Sequence, residues 1–217
     1  AVVRDNLDSL LRNESAMLWL TRLKATDQYS YDHAIDVSVL LMVFGRFLGL
    51  GRDAVGELGR AGLMQDIGKI HVSSDILVKE EPLSDVEFRE IQSHVASSLE
   101  LLVGQSGFSR TVLSIVAEHH ERYDGSGYPR SIGLERISLA AEMSGLVDTY
   151  CAMTRDRVFS PAISSQGALE AICRLRGVKF RGAIVDQFVQ CVGLYPIGTL
   201  VELNSGEVAI VIEQNRV

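Results

Sequence analysis

The sequence predicts an all-α domain that ends in a short β-hairpin. Apolar residues recur at helical spacing from the start of the chain to about Gly193, without an internal repeat or a low-complexity tract. Two β-rich runs, 199–203 and 208–213, then flank an Asn-Ser-Gly turn at 204–206, which is typical of a hairpin. The expected organisation is a lead-in helix over 1–26, a helical domain over 27–193, and a hairpin appendage over 194–217 that packs on the helices.

Apolar spacing and capping signals place the helices of the first half of the chain. The second helix has one apolar face, formed by His33, Val37, Leu40, Leu41, Phe44 and Leu48. A third helix is expected over 53–66, because Gly68 then interrupts the pattern. Ser84 followed by Glu87 is a capping box, which predicts that a fourth helix begins there. The inward residues of this fourth helix are expected to be Phe88, Ile91, Val95, Leu99 and Leu102.

The second half of the chain continues the helical pattern. Ser109 is a suitable N-cap for a fifth helix. The buried side of that helix is expected to carry Val112, Ile115, Val116 and His119. Residues 122–133 contain three glycines and a proline and therefore form a loop. Further helices are expected over 138–153, 165–175 and 183–192.

Composition and charge narrow the class of protein. The chain has 217 residues, of which 47% are apolar, so it can bury a core without disulfides. Its 21 Lys and Arg against 28 Asp and Glu give a net charge of −7, which argues against binding to duplex DNA or acidic membranes. Three cysteines without a CxxC pair favour a reducing cytoplasm. The apolar stretch 37–50 is interrupted by Arg46 and is too short to insert in a bilayer.

The start of the chain lacks the pattern of a signal peptide and carries no Met. We therefore expect a cytoplasmic fragment of a longer protein, and the sequence leaves its oligomeric state open.

The histidines are the first sign of chemistry in the sequence. They are His33, His71, His94, His119 and His120. A single histidine on an apolar face is usually a core residue, but several that converge inside a helical bundle can bind metal together with carboxylates. Asp66 and Asp148 can supply those carboxylates, and Asp148 shares a helix face with Gly145, where backbones can approach closely. Spacing therefore favours a metal site, while the alternative that His120 is exposed at a helix end stays open.

Several segments then resemble a known family. Residues 119–129 read HHERYDGSGYP, which resembles the HHExxDGxGYP signature of HD-GYP domains. The segment DIGKI at 66–70 resembles the family's HDxGK, and DTYCAMTRDR at 148–157 resembles its DxYDAMTSDR. The resemblance covers roughly 31–188, and the final YPIGTLVELNSGEVAIV is similar to the hairpin that closes some members. The resemblance implies a five-helix HD core with additional C-terminal helices.

This resemblance also implies an activity, namely metal-dependent hydrolysis of cyclic di-GMP to pGpG and GMP. The positions that match the family's metal ligands are His33, Asp66 and Asp148 for a first ion, and Asp66, His94, His119 and His120 for a second. Asp66 and Lys69 are the implied catalytic residues, with Lys69 on the scissile phosphate and Arg157 on the substrate's other phosphate. Tyr128 would border the substrate groove. The motif loop around it comprises Asp124, Gly125, Gly127, Tyr128 and Pro129.

These residue types suit phosphodiester hydrolysis. Two cations joined by a carboxylate lower the pKa of a bridging water and neutralise phosphate charge. Mixed imidazole and carboxylate ligands accept Fe, Mn, Zn or Ni, so the sequence predicts one or two divalent transition-metal ions without choosing among them. Lys69 and Arg157 add fixed positive charge for the phosphates.

The chain departs from the family pattern at several positions. Gln65 replaces the histidine of the HD pair, so we expect the first metal site to be depleted, because a neutral amide is a weaker ligand than imidazole. Tyr29 stands where members with a third metal carry Glu. The other departures are Glu142 for a common Arg, Cys151 for Asp, Arg155 for Ser, and Arg181-Gly182 for Asp-Pro.

Two functions therefore follow from the sequence. The first is a cyclic di-GMP phosphodiesterase that is weakened by the loss of the HD histidine. The alternative is an inactive module that binds cyclic di-GMP or docks a partner protein, such as a diguanylate cyclase, through the loop 125–129.

Overall fold

Helices make up most of the regular structure in the computed structural model, which describes residues 13–133, 136–156, 161–193, 198 and 200–213. The helices are α1 (Glu14–Thr26), α2 (Gln28–Phe47), α3 (Arg52–Met64), a 3₁₀ helix (Ile67–His71), α4 (Ser74–Leu77), α5 (Asp85–Gln92), α6 (His94–Leu102), α7 (Arg110–Glu118), α8 (Leu139–Thr154), α9 (Ser165–Arg174) and α10 (Gly182–Val192). An antiparallel hairpin, β1 (Leu200–Glu202) and β2 (Val208–Ile210), follows them. The predicted fold class, all-α with a terminal hairpin, is confirmed.

Side-chain caps set the first residues of several helices. The predicted capping box is present at α5, where Ser84 accepts from the Glu87 amide and the Glu87 carboxylate accepts from the Ser84 amide. The Ser109 hydroxyl accepts from Val112 at the start of α7, and Ser138 caps α8 in the same way. Each such cap stabilises its helix by about 1 kcal/mol.

The core forms around α2, which packs against α1, α3, α8 and α10. Val37, Leu41 and Phe44 on the predicted inner face of α2 are fully buried. The Phe44 ring meets Phe188 of α10 edge to face at 5.3 Å between ring centroids. Burial of each such side chain contributes about 1.5–3 kcal/mol, so this face fixes α2 in the centre of the domain.

The predicted fourth helix is two helices in the structure. Helices α5 and α6 meet at Ser93, where the Ile91 carbonyl accepts a hydrogen bond from Nδ1 of His94 at 2.6 Å. This side-chain bond competes with the main-chain bonds of a continuous helix. The expectation that Phe88 points inward is wrong, because its side chain is 47% exposed, whereas Val95 and Leu102 are buried as expected.

The third helix is shorter than expected. It ends at Met64, and Gln65 and Asp66 form the turn that leads into the 3₁₀ helix. Both side chains are buried. The early end of α3 therefore places these two polar residues inside the domain rather than on a helix surface.

The hairpin leaves much of its apolar surface open. Val201 pairs with Ala209 in antiparallel register, and Leu200, Val208 and Ile210 are each more than half exposed. Packing of the hairpin on the helices stays a prediction. Within the part of the chain that the structure describes, no helix combines the length and the apolar character that a membrane crossing needs.

Candidate metal centre

Two groups of histidine and aspartate side chains converge inside the helical domain. One group is formed by Asp66, His94, His119 and His120, and we call it the Asp66–His120 cluster. The other is formed by His33, Asp66 and Asp148, and we call it the His33–Asp148 cluster. In each cluster the potential ligand atoms lie within 4.8 Å of one another. The structure thus brings together all six residues that the sequence predicts as ligands, and Asp66 belongs to both clusters.

Close backbone contacts bring the helices that carry these residues together. A Cβ at Gly68 would collide with the carbonyl of His94 and, at 2.5 Å, with the amide of Ser98. A Cβ at Gly145 would collide with the carbonyl of His119, as the sequence analysis expects for a close approach at this residue. The absence of a side chain at these two glycines allows α6 to pack on the 3₁₀ helix, and α7 to pack on α8, at the depth of the clusters.

The tautomers of two histidines follow from their hydrogen bonds. Nδ1 of His94 lies 2.6 Å from the Ile91 carbonyl, and Nδ1 of His119 lies 2.9 Å from the Val116 carbonyl. Because a carbonyl can only accept, Nδ1 carries the proton in both rings and the Nε2 lone pairs are free. These Nε2 atoms lie 3.1 and 3.9 Å from Oδ1 of Asp66.

These inward atoms fit a cation. Oδ1 of Asp66 and Nε2 of His94 and His119 are buried and have no hydrogen-bond partner among the described residues. Three acceptors that face one another without a donor would repel, and a divalent cation satisfies all three at once. Nitrogen and carboxylate ligands of this kind suit the transition metals that the sequence predicts.

The protonation state of the Asp66–His120 cluster also suits the binding of a cation. Burial lowers the pKa of His119 to about 4 and holds the pKa of His120 well below its usual value, so both imidazoles are neutral at pH 7. Burial raises the pKa of Asp66, but the Lys69 ammonium beside it holds that pKa well below its usual value. Nζ of Lys69 lies 3.0 Å from Oδ2 of Asp66. The cluster therefore presents the neutral imidazoles of His119 and His120 and an ionised carboxylate.

The His33–Asp148 cluster has different hydrogen bonding. Nε2 of His33 lies 2.8 Å from Oδ1 of Asp148, and the Gln65 amide donates to the same oxygen at 3.2 Å. The Ser144 hydroxyl donates to Oε1 of Gln65 at 2.6 Å. The Tyr29 ring stacks on His33 with 5.8 Å between centroids. Gln65 therefore presents N–H, not oxygen, to this cluster.

The motif loop covers one side of the Asp66–His120 cluster. The Tyr128 ring is half-buried and stacks on His120 with 4.5 Å between centroids, and it meets Phe88 edge to face. The buried carboxylate of Glu121 accepts from the backbone amides of Arg130 and Ile132 at 2.7 and 3.0 Å. Glu121 thereby fixes the chain that follows Tyr128.

The turn before α10 also holds the motif loop. Nζ of Lys179 lies 2.9 Å from Oδ2 of Asp124, and the Lys179 carbonyl accepts from the Tyr123 amide at 2.9 Å. The roles of Glu121, Lys179 and Ser144 are not predicted from the sequence. Glu121 lies within the motif, which is a signal for a role, whereas Lys179 and Ser144 have none in the sequence.

Two departures from the family pattern form one ion pair. Glu142 is buried, and its Oε2 lies 2.8 Å from Nε of Arg181, while its other oxygen accepts from the Arg181 amide. The family pattern commonly has Arg at the first of these positions and Asp at the second, and in this chain the two side chains are partners. The pair gives both residues a structural role in this chain.

We expect Arg181→Ala to lower the free energy of unfolding by about 1–3 kcal/mol, because the buried Glu142 carboxylate loses its charged partner. Thermal unfolding measures the change. Arg174→Ala is the matched control, since Arg174 is exposed and its 3.9 Å pair with Glu170 contributes little. An Arg181→Ala protein as stable as that control would contradict a structural role for the pair.

The remaining predicted residues are placed as follows. Arg155 pairs with Asp36 at 2.9 Å and with Asp32 at 3.4 Å on α2. Cys151 is buried, and burial raises the pKa of its thiol, so it stays neutral. Arg157 lies outside the described residues, and its predicted contact with a substrate phosphate stays a prediction.

Comparisons with known proteins agree with this geometry. The profile of the HD domain family matches residues 10–184. A cyclic di-GMP phosphodiesterase of Pseudomonas aeruginosa is 38% identical over 207 residues, which are 95% of this chain and 50% of that protein. A 3′3′-cGAMP-specific phosphodiesterase of Vibrio cholerae is 34% identical over 152 residues, which are 69% of this chain and 34% of that protein. The chain thus spans half or less of the length of these relatives.

A solved structure shares the fold. An HDGYP protein from Bdellovibrio bacteriovorus matches with a TM-score of 0.61 and 16% identity over 73% of this chain and 50% of that one. The profile match covers most of the chain, and the motif segments 66–70, 119–129 and 148–157 lie within it. The chain belongs to the HD domain family.

Proposed function

We propose that this chain is a metal-dependent phosphodiesterase that hydrolyses cyclic di-GMP. The observation that carries the proposal is the set of buried, unpartnered acceptors at Asp66, His94 and His119, which a divalent cation would satisfy. The names of the relatives, cyclic di-GMP and 3′3′-cGAMP phosphodiesterases, support a cyclic dinucleotide as the substrate. The net charge of −7 is compatible with a small anionic ligand if cationic groups lie at the site.

The Asp66–His120 cluster would hold the ion, with Asp66, His94, His119 and His120 as ligands. An Fe, Mn, Zn or Ni ion bound there would activate a water and neutralise charge on the phosphodiester. The protein's own groups prepare the site. Carbonyls of Ile91 and Val116 fix the tautomers of His94 and His119, and burial lowers the pKa of His119 and His120 so that these two imidazoles are neutral.

Lys69 supplies the fixed positive charge for the scissile phosphate. Its ammonium lies beside Asp66, at the cluster, and the side chain retains 16% exposure. The pKa of Lys69 is raised, since the charges of Asp66 and Asp148 outweigh the effect of burial, so the ammonium is protonated at neutral pH. The Tyr128 ring, stacked on His120, borders the same cluster from the motif loop.

Lys69→Ala is expected to weaken cyclic di-GMP binding by about tenfold or more, because a charge-assisted hydrogen bond contributes roughly 1.5–3 kcal/mol. Calorimetry on metal-loaded protein measures the affinity, and elemental analysis shows whether the ion is retained. Arg174→Ala is the control, because it also removes one positively charged side chain, at the exposed end of α9. Unchanged affinity in Lys69→Ala would remove Lys69 from the substrate site.

The function itself is tested by incubating the metal-loaded protein with cyclic di-GMP and separating the products by chromatography. We expect pGpG and GMP. A parallel incubation with 3′3′-cGAMP separates the two substrate types that the relatives' names suggest. Protein that is loaded with metal and neither binds nor cleaves either dinucleotide would contradict the proposal.

One observation favours the alternative of a binding module. Gln65 donates N–H to Asp148, and an N–H group cannot ligate a cation. Lys69 and a single ion need no second metal to bind the dinucleotide's phosphates, so binding can persist without turnover. Calorimetric binding with no product would establish this alternative. A diguanylate cyclase partner at the loop 125–129 and a cytoplasmic location remain predictions of the sequence analysis.

A further inference from the structure

We propose that Ser144 is a positioning residue that holds the Gln65 amide with its N–H group toward Asp148. The N–H groups of Gln65 and His33 then occupy the His33–Asp148 cluster, and the centre binds one metal ion. This inference rests on the proposed function, since it concerns the same centre. It assigns a role to a serine that no motif in the sequence marks.

The orientation of the Gln65 amide is determined by its two partners. Asp148 is a carboxylate and can only accept, so the amide group that faces it at 3.2 Å must be the NH₂. Ser144 then donates its hydroxyl proton to Oε1 at 2.6 Å. The reversed amide would place Oε1 against the carboxylate oxygen, which is repulsive. All three residues are buried, so water does not compete for these bonds.

The two clusters thus differ in what already satisfies their acceptors. Oδ1 of Asp148 receives two donors, Nε2 of His33 at 2.8 Å and Nε2 of Gln65 at 3.2 Å. Oδ1 of Asp66 receives none among the described residues, and Nε2 atoms with free lone pairs face it. A cation in the His33–Asp148 cluster would have to displace two hydrogen bonds. In the Asp66–His120 cluster a cation displaces none.

Asp148 therefore has two N–H donors on its Oδ1 in place of a second cation. Ser144 acts through Gln65, because its hydroxyl donates to Oε1 and so holds the amide with its NH₂ group toward Asp148.

The test is a Mn²⁺ titration of the metal-free protein, read by stoichiometry and by electron paramagnetic resonance. An isolated Mn²⁺ gives a six-line spectrum, whereas two ions bridged by Asp66 would couple and broaden it. We expect one equivalent and six lines for the wild type. Ser144→Ala frees the amide to rotate and offer Oε1, so a second, weaker equivalent and a broadened spectrum should appear. Gln65→His should take up the second equivalent more tightly.

Ser38→Ala is the matched control, because Ser38 is also buried and its hydroxyl donates to a carbonyl, that of Gly59, at 2.8 Å. The Ser38→Ala variant should still bind one equivalent of Mn²⁺. Ser144→Cys, with a weaker donor of similar size, replaces Ser144→Ala if that variant fails to fold, with the same expected second equivalent.

The other outcomes count against the proposal. If the wild type binds two equivalents of Mn²⁺, the oriented amide does not exclude a second ion, and the proposed function remains intact. If the Ser144 variant binds only one equivalent of Mn²⁺, Ser144 is not the residue that positions the amide, whatever Gln65→His shows. A wild type that binds no Mn²⁺, Fe²⁺ or Zn²⁺ overturns the metal-dependent function, and the inference with it.

Discussion

Replacing Asp66 with asparagine is expected to reduce cyclic di-GMP hydrolysis by at least about a thousandfold, which corresponds to about 4 kcal/mol of transition-state stabilisation. Asp66 belongs to both clusters, and its Oδ1 faces the free lone pairs of His94 and His119. Asparagine has the same shape but lacks the charge that a cation needs. The change therefore removes metal affinity while it preserves packing.

Two measurements are needed for Asp66→Asn, product formation by chromatography and metal content by elemental analysis. Both should fall together. Asp53→Asn is the control, because Asp53 lies exposed in the first turn of α3, the helix that leads to Asp66. An Asp66→Asn protein that retains wild-type turnover would refute the proposed centre. Lost metal with unchanged turnover would refute metal dependence.

The second large expected effect is a gain in turnover. Gln65→His is expected to raise cyclic di-GMP turnover by about tenfold or more, because a second ion adds to activation of the nucleophile and typically supplies several kcal/mol. The imidazole would replace the amide N–H that now faces Asp148. Steady-state kinetics at saturating Mn²⁺ measure kcat, and the rise should appear in kcat rather than in KM.

Gln65→His both removes the amide N–H from Asp148 and adds an imidazole ligand. Gln65→Leu separates these two effects, because leucine removes the amide and offers no ligand. It should show no gain in turnover. A Gln65→His protein that binds two ions and still turns over no faster would place the defect elsewhere. Glu142 and Cys151 are then the next residues to test.

Glu142 and Arg181 show what a motif comparison misses. Each residue departs from the family pattern, and along the sequence they are two separate differences. They are 39 positions apart, and folding brings Nε of Arg181 within 2.8 Å of the Glu142 carboxylate. A pattern compared one position at a time cannot show that two such residues are partners in the folded chain.

The break between α5 and α6 has a similar cause. Helical spacing continues without interruption from Ser84 to Leu102, so the sequence predicts one helix. The His94 imidazole bonds to the Ile91 carbonyl, and the same bond directs its Nε2 toward Asp66. Local propensity favours a continuous helix, and the geometry of the cluster interrupts it.

The sequence by itself determined the fold class, most helix positions, the family and the six residues that the two clusters bring together. These follow from periodicity, capping residues and a long motif, which are local along the chain. Only the tertiary structure decided which face of the Gln65 amide meets Asp148, because that depends on Ser144 and Asp148, residues 79 and 83 positions away. The orientation of a buried polar group is set by its partners, and folding alone brings distant partners together.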